Sequence, residues 1–235
     1  MSTFFQLYQD VARDSGTIPR WASLSTVNGA TGREARVKQW VIDAWFDIQK
    51  QRTDWLWMMD EFTGLLTSGT QRYSAASFSI DSRFSEWVFR DRQHMPALSA
   101  WLTSAGQAGE YDLEYLPWME FRRRCLRGSA ASRTGRPQLA SQDDARQLVF
   151  YPTPDAAYTI SGLYKKSPQT LADDDDVPEC PAQFHSAIKW RALLYLGVYD
   201  EAPQQMGFWD QQLRRTLGEL IQHQTPPIER PGALA

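Results

Sequence analysis

Between Leu148 and Glu201 the hydrophobic period of the chain switches from two to about 3.6, across a proline-punctuated acidic loop. Leu148–Tyr151 and Ala157–Lys165 are rich in β-branched and aromatic residues, and Pro152–Asp155 between them holds two prolines. That predicts two strands joined by a tight turn. Ser167–Pro181 follows, carrying Asp173, Asp174, Asp175 and Asp176 between prolines. From Gln183 to Asp200 the apolar residues fall at helical spacing, with Phe184, Ile188, Ala192, Tyr195, Leu196 and Tyr199 on one face. A chain obliged to pass from paired strands into a helix through a rigid loop is a mixed fold, and this stretch reads as scaffold.

Both ends of the chain are helical in pattern. Phe4, Leu7, Tyr8 and Val11 predict a helix over 3–14, ended by Gly16; residues 17–30 form a connection with Pro19, Gly29 and a lone Trp21. Thr31-Gly-Arg-Glu34 has the form of a capping box. The helix behind it is the clearest in the chain: Val37, Trp40, Val41, Ala44, Trp45 and Ile48 make one apolar stripe, worth about 1.5–3 kcal/mol per large side chain on burial. A last helix is expected over 205–223, before Pro226, Pro227 and Pro231 forbid its continuation. The middle reads differently. Trp55, Trp57 and Met59 alternate as in a strand, Gln71–Ser79 returns, Ser85–Arg90 and Leu98–Ser104 look like another pair, and Glu110–Leu116 alternates carboxylates with Tyr and Leu. Pro117–Leu126 predicts a short helix, and 127–137 a small, polar, basic loop. The expected fold is α+β: a bundle of about four helices from 1–54 and 181–224, a β-rich insertion over 55–180, and an extended arm over 225–235.

The search for chemistry returns little. His94, His185 and His223 sit in unrelated contexts, and no G-x-S-x-G or P-loop is present. His185, beside Phe184, reads as a packing or partner-contact residue. Asp173–Asp176 lack the sixth-position Gly and twelfth-position Glu of a helix–loop–helix calcium site. Glu110, Asp112 and Glu114 would share one face of a strand; paired carboxylates can hydrolyse glycosides, but a half-exposed strand looks the same. No cofactor or metal is expected. Cys125 and Cys180 have no metal spacing and read as reduced, buried thiols. The first residues lack the pattern of a signal peptide, and no apolar run approaches the roughly 18 residues of a membrane span, so neither export nor a membrane partner is expected. The net charge of −3 gives no global signal for nucleic acid, which argues against a nucleic-acid-binding regulator. The local exception is basic: Arg122, Arg123, Arg124, Arg127, Arg133 and Arg136. These residues suit a contact with nucleic acid or with an acidic neighbour. The basic 122–136 segment of one subunit facing the acidic 173–176 loop of the next is the pairing the sequence invites; such pairs set register and on-rate more than affinity.

The series Tyr151-Pro152, Pro154-Asp155, Tyr158, Gly162, Tyr164, Pro168, Leu171, Asp174, Asp176, Pro178, Pro181, Phe184-His185, Ala187, Arg191-Ala192-Leu193, Gly197 and Tyr199-Asp200 resembles the head-to-tail adaptor (connector, or neck) proteins of tailed bacteriophages. The 31–49 helix followed by Trp55-Leu-Trp57 resembles them too. The resemblance implies a structural virion protein, not an enzyme, made in the host cytoplasm and placed in the neck below the portal. It further implies a ring, dodecameric like the portal, that contacts portal and tail or nozzle proteins and passes double-stranded DNA through its lumen. The arginines, Asp173–Asp176 and the apolar anchors Ile228 and Leu234 of the C-terminal segment are then subunit or portal contacts. The alternative is a carbohydrate-binding or lytic virion module presenting Trp55, Trp57, Trp87 and Trp101; tryptophans in the core would remove its support.

Overall fold

The computed structural model describes residues 1–19, 24–80 and 82–225. Arg20–Ser23, with the lone Trp21, and the segment carrying Ile228 and Leu234 lie outside them. The fold is α+β. The described residues contain five α-helices: α1 (Phe4–Asp14), α2 (Gly32–Lys50), α3 (Trp118–Cys125), α4 (Ser186–Tyr199) and α5 (Pro203–Gln224). The chain divides into two compact units, one of 1–57 with 168–235 and one of 58–167, so the acidic loop belongs with α1, α2, α4 and α5.

In the helical unit, α1 starts at a capping box of its own. The Thr3 hydroxyl accepts from the Gln6 amide at 3.3 Å, and the Gln6 side chain accepts from the Thr3 amide at 3.1 Å. Phe4, Leu7, Tyr8 and Val11 are buried, as their spacing requires. The box expected at Thr31 does not form: Thr31 precedes α2 with no side-chain cap bond. Gly32 takes φ +57, a backbone open cheaply only to glycine, and turns the chain there. The α2 stripe is buried except for Trp40, which lies half-buried 5.5 Å from the Tyr199 ring. The single apolar face expected for α4 is too narrow. This helix packs against α1, α2 and α5, and Ala187, Leu193 and Gly197 are buried along with Ile188, Ala192 and Leu196, while Tyr199 is exposed. A Cβ on Gly197 would meet Met206 at 2.8 Å and Trp209 at 2.9 Å, so the missing side chain is what lets α5 cross this closely. Trp55 and Trp57 are no strand: their rings stack at 4.3 Å, and Leu56–Met58 form a 3₁₀ turn.

The described residues of the β unit form eleven strands: β1 (Met59–Leu66), β2 (Arg72–Tyr73), β3 (Phe84–Val88), β4 (Leu98–Leu102), β5 (Tyr111–Asp112), β6 (Glu114–Tyr115), β7 (Thr134–Gly135), β8 (Leu139–Gln142), β9 (Leu148–Tyr151), β10 (Thr153–Pro154) and β11 (Tyr158–Lys166). The larger sheet runs β1-β11-β4-β5; β3 also pairs with β11, beyond β4 along its length. The smaller sheet runs β2-β9-β8-β6, and β7 with β10 forms a short parallel pair. Two pairings expected from the sequence are therefore absent. β9 and β11 are in different sheets, and Pro152–Asp155 carries the chain across instead of closing a hairpin. β3 and β4 form no ladder; the segment between them closes at an isolated bridge between Arg90 and Pro96.

The layers of this unit follow from β9. Leu148 and Phe150 join Phe62, Leu98 and Ile160 of the larger sheet in one core; Val149 packs in a second with Phe121 and Cys125 of α3, and Tyr151 lies against it. A strand buried on both faces reads as a continuous apolar run, and LVFY is one. The order is thus α3, smaller sheet, larger sheet. At Gly162, in the middle of β11, a Cβ would come 2.2 Å from Leu98, so only glycine fits between β11 and the β4 side chains.

Candidate assembly interface

The residues of the acidic loop do different jobs. The first turn of α1 has amides with no partner inside the helix, and the loop supplies acceptors: Phe4 N–H donates to the Asp176 carbonyl at 2.7 Å and Phe5 N–H to that of Asp174 at 3.2 Å. The Asp174 carboxylate accepts from Val27 N–H at 2.6 Å; that of Asp176 closes the loop on Ala172 N–H at 2.6 Å and Asp173 N–H at 2.9 Å. Asp173 and Asp175 are exposed and make none of these carboxylate contacts.

Gln169 anchors the same loop to α2. Its backbone exchanges bonds with the buried Gln49 side chain at 2.7 and 2.9 Å, and its side-chain oxygen accepts from Trp45 Nε1 and Glu179 N–H, each at 3.2 Å. His185 is buried, with Nε2 3.0 Å from the Cys180 carbonyl and Nδ1 against the Ser2 backbone. It pins backbone, which is the packing role its setting beside Phe184 suggests. Sequence reasoning missed Gln169 and Gln49, because a lone glutamine carries no pattern; the Thr3–Gln6 box was readable as T-x-x-Q.

Two ion pairs tie down Arg191 and Asp200 of the motif. Arg191 donates to Asp47 at 2.8 Å, and the Tyr195 hydroxyl donates to the same carboxylate. Burial pushes the Asp47 carboxyl up, but the hydrogen bonds from Tyr195 and Arg191 outweigh it and hold the group below the ordinary range. Arg33 forks onto Asp200 and, through Nε, reaches Thr17 at 2.9 Å; its hydrogen bonds hold the Asp200 carboxyl low. Cys125 and Cys180 are free and buried, and burial pushes the Cys180 thiol up to about 12.

The basic cluster is divided by the fold. Phe121 and Cys125 point into the β unit one turn apart, so Arg122, Arg123 and Arg124 fan over the solvent side of α3, followed by exposed Arg127 and Arg133. Arg124 reaches Glu120 at 3.0 Å, and Arg122 lies 5.9 Å from the Trp118 ring centre. Arg136 is drawn away, its guanidinium 3.4 Å over the Tyr111 ring. The carboxylate row is divided too. Asp112 is in β5 of the larger sheet and Glu114 in β6 of the smaller, with buried Leu113 between them, so the three carboxylates do not share a face. Glu110 and Asp112 instead line an open cleft of about 340 Å³ with Glu61, Ser99, Ser161 and Leu163.

Among the described residues no group of three or more His, Cys, Asp or Glu is placed to hold a metal, and no helix is long and apolar enough to cross a membrane. Of the four tryptophans of the carbohydrate reading, Trp55 and Trp87 are core residues, Trp57 is stacked between Trp55 and Trp45, and Trp101 in β4 is half-buried, so the core takes two of the four from that reading. In comparisons with known proteins, the family model described as SU10 adaptor protein matches residues 2–233. No curated protein matches the chain.

Proposed function

Since the chain belongs to the SU10 adaptor protein family, a phage head-to-tail adaptor family, we propose that it is a structural virion protein that assembles as a ring between portal and tail. The observation that carries this reading is the family match over nearly the whole chain. The ring is dodecameric, like the portal it caps, and double-stranded DNA passes through its lumen without sequence-specific contact. The protein is made in the host cytoplasm, takes its place in the neck of the virion, contacts portal and tail or nozzle proteins, and carries no chemistry of its own.

The way the motif residues are used supports a scaffold. Asp174, Asp176, His185, Arg191, Gly197 and Asp200 hold the helical unit together, where α1, α2, α4 and α5 serve as a bundle. Docking falls to side chains outside this internal network. Asp173 and Asp175 of the exposed loop, with Ile228 and Leu234 of the C-terminal segment, meet the portal. Of the arginines, Arg122, Arg123 and Arg133 lie toward a neighbouring subunit, while Arg124 is held by Glu120 and Arg136 by the Tyr111 ring. Light scattering with and without the cognate portal protein tests the reading: monomer or weak association alone, and a ring-sized complex on the portal. A stable dimer indifferent to portal contradicts it.

A further inference from the structure

The β unit presents opposite charge on its two outer faces. Because α3, the smaller sheet and the larger sheet are successive layers, the solvent side of α3 is one outer face and the outward side of the larger sheet is the other. The first carries Arg122, Arg123 and Arg127, with Glu120 engaging only Arg124. On the second, residues alternating with buried Phe62, Leu98 and Gly162 point out. In register, Glu61 lies opposite Leu163, Ser161 opposite Ser99, and Ser99 opposite Asp112. The cleft along this row holds three carboxylates. Glu110 is steadied by Ser99 at 2.5 Å and Gln107 at 3.0 Å, while Glu61 and Asp112 are exposed. The nearest cation along β11, Lys165, lies outside the cleft with Glu86 opposite it.

We propose that the β unit of one copy docks head to tail on that of the next, with the α3 arginines seated in the Glu61, Glu110 and Asp112 cleft of the larger sheet. The inference rests on the adaptor reading for taking a second copy as occupant, and on charge complementarity for the surfaces. Patches on opposite faces cannot meet their own kind across a twofold axis; they meet heterologously, and a heterologous contact closes into a ring when its rotation allows. Guanidinium groups suit the cleft because they bind carboxylates in forked pairs. The acidic loop is the weaker partner for the same arginines, since Asp174 and Asp176 already serve their own unit. A nucleic acid would account for the arginine face and leave the cleft without a counterpart.

The test is charge reversal and charge swap in the full chain, read by sedimentation with and without the cognate portal protein at low and high salt. Arg123→Glu and Asp112→Arg should each lower assembly about tenfold or more, mainly through association, with the melting temperature unchanged. The double variant, with both charges exchanged, should recover assembly. Asp173→Lys should not imitate the Asp112 effect. Normal assembly of both single variants, or a folded double variant that stays dissociated, overturns the inference and leaves the adaptor reading standing. A wild-type chain that joins neither itself nor the portal overturns both. Normal assembly of Arg123→Glu with lost retention on duplex DNA also overturns it, and assigns the face to nucleic acid.

Discussion

Four adjacent aspartates look interchangeable in the sequence, yet the carboxylates of Asp174 and Asp176 serve internal bonds while Asp173 and Asp175 are exposed. Asp174 accepts the Val27 amide, and removing an acceptor from a half-buried donor costs about 1–3 kcal/mol. Asp174→Lys should therefore lower the melting temperature, whereas Asp173→Lys should leave it alone; melts of the two variants decide. Reversing Asp174 is thus no clean probe of docking, although its charge alone suggests it. Asp47 supplies a second prediction. Its folded pKa lies below the ordinary value near 3.9 because of Tyr195 and Arg191, so its contribution is fully present above that value and is lost as pH falls through the lower, folded one. The melting temperature should fall on acidification below about pH 4, and Asp47→Asn should flatten that fall while lowering stability at neutral pH. An unchanged acid profile would mean that the Arg191–Asp47–Tyr195 cluster contributes nothing. None of these roles was legible in the sequence, because each depends on a partner more than 140 positions away.

At the scale of elements the helices were legible and the sheets were not. A 3.6-residue period is local, so α1, α2 and α5 fall close to where the spacing puts them. Strand pairing is not local. LVFY at β9 announces a strand, but nothing local says that its neighbours are β8 and β2, the two residues of the 71–79 run that pair with it. The proline-containing step after β9 looked like a hairpin turn and is a crossing between sheets. Of the α2 stripe, Trp45 is fully buried and Trp40 only half. Trp45→Ala should cost about 3–5 kcal/mol by thermal melting; Trp40→Ala should cost distinctly less. Equal losses would contradict the burial seen here. The segment after α5 supplies a further prediction. Gln224, the last residue of α5, accepts from Leu56 N–H at 3.1 Å, so a chain ending there keeps the helix and its anchor. Truncation after Gln224 should leave folding intact within about 0.5 kcal/mol and reduce portal attachment. Undiminished decoration of portals would show that Ile228 and Leu234 are incidental.

For the whole molecule, the motif that carries the family resemblance and the surfaces proposed for docking in the β unit are different sets of residues. Most of the motif positions described here are spent on internal bonds or close packing, which explains why the family was legible while the interface was not. The basic and acidic segments were visible in the sequence, but the fold drew Arg136 away from the other arginines and brought Glu61 to Glu110 and Asp112. The central claim is that this chain closes into a ring on the portal. Electron microscopy of the purified protein, alone and mixed with its portal, tests it most directly. The account predicts no rings or few without portal, and closed rings matching the portal's copy number with it. Particles that stay small and unordered beside bare portals would contradict it.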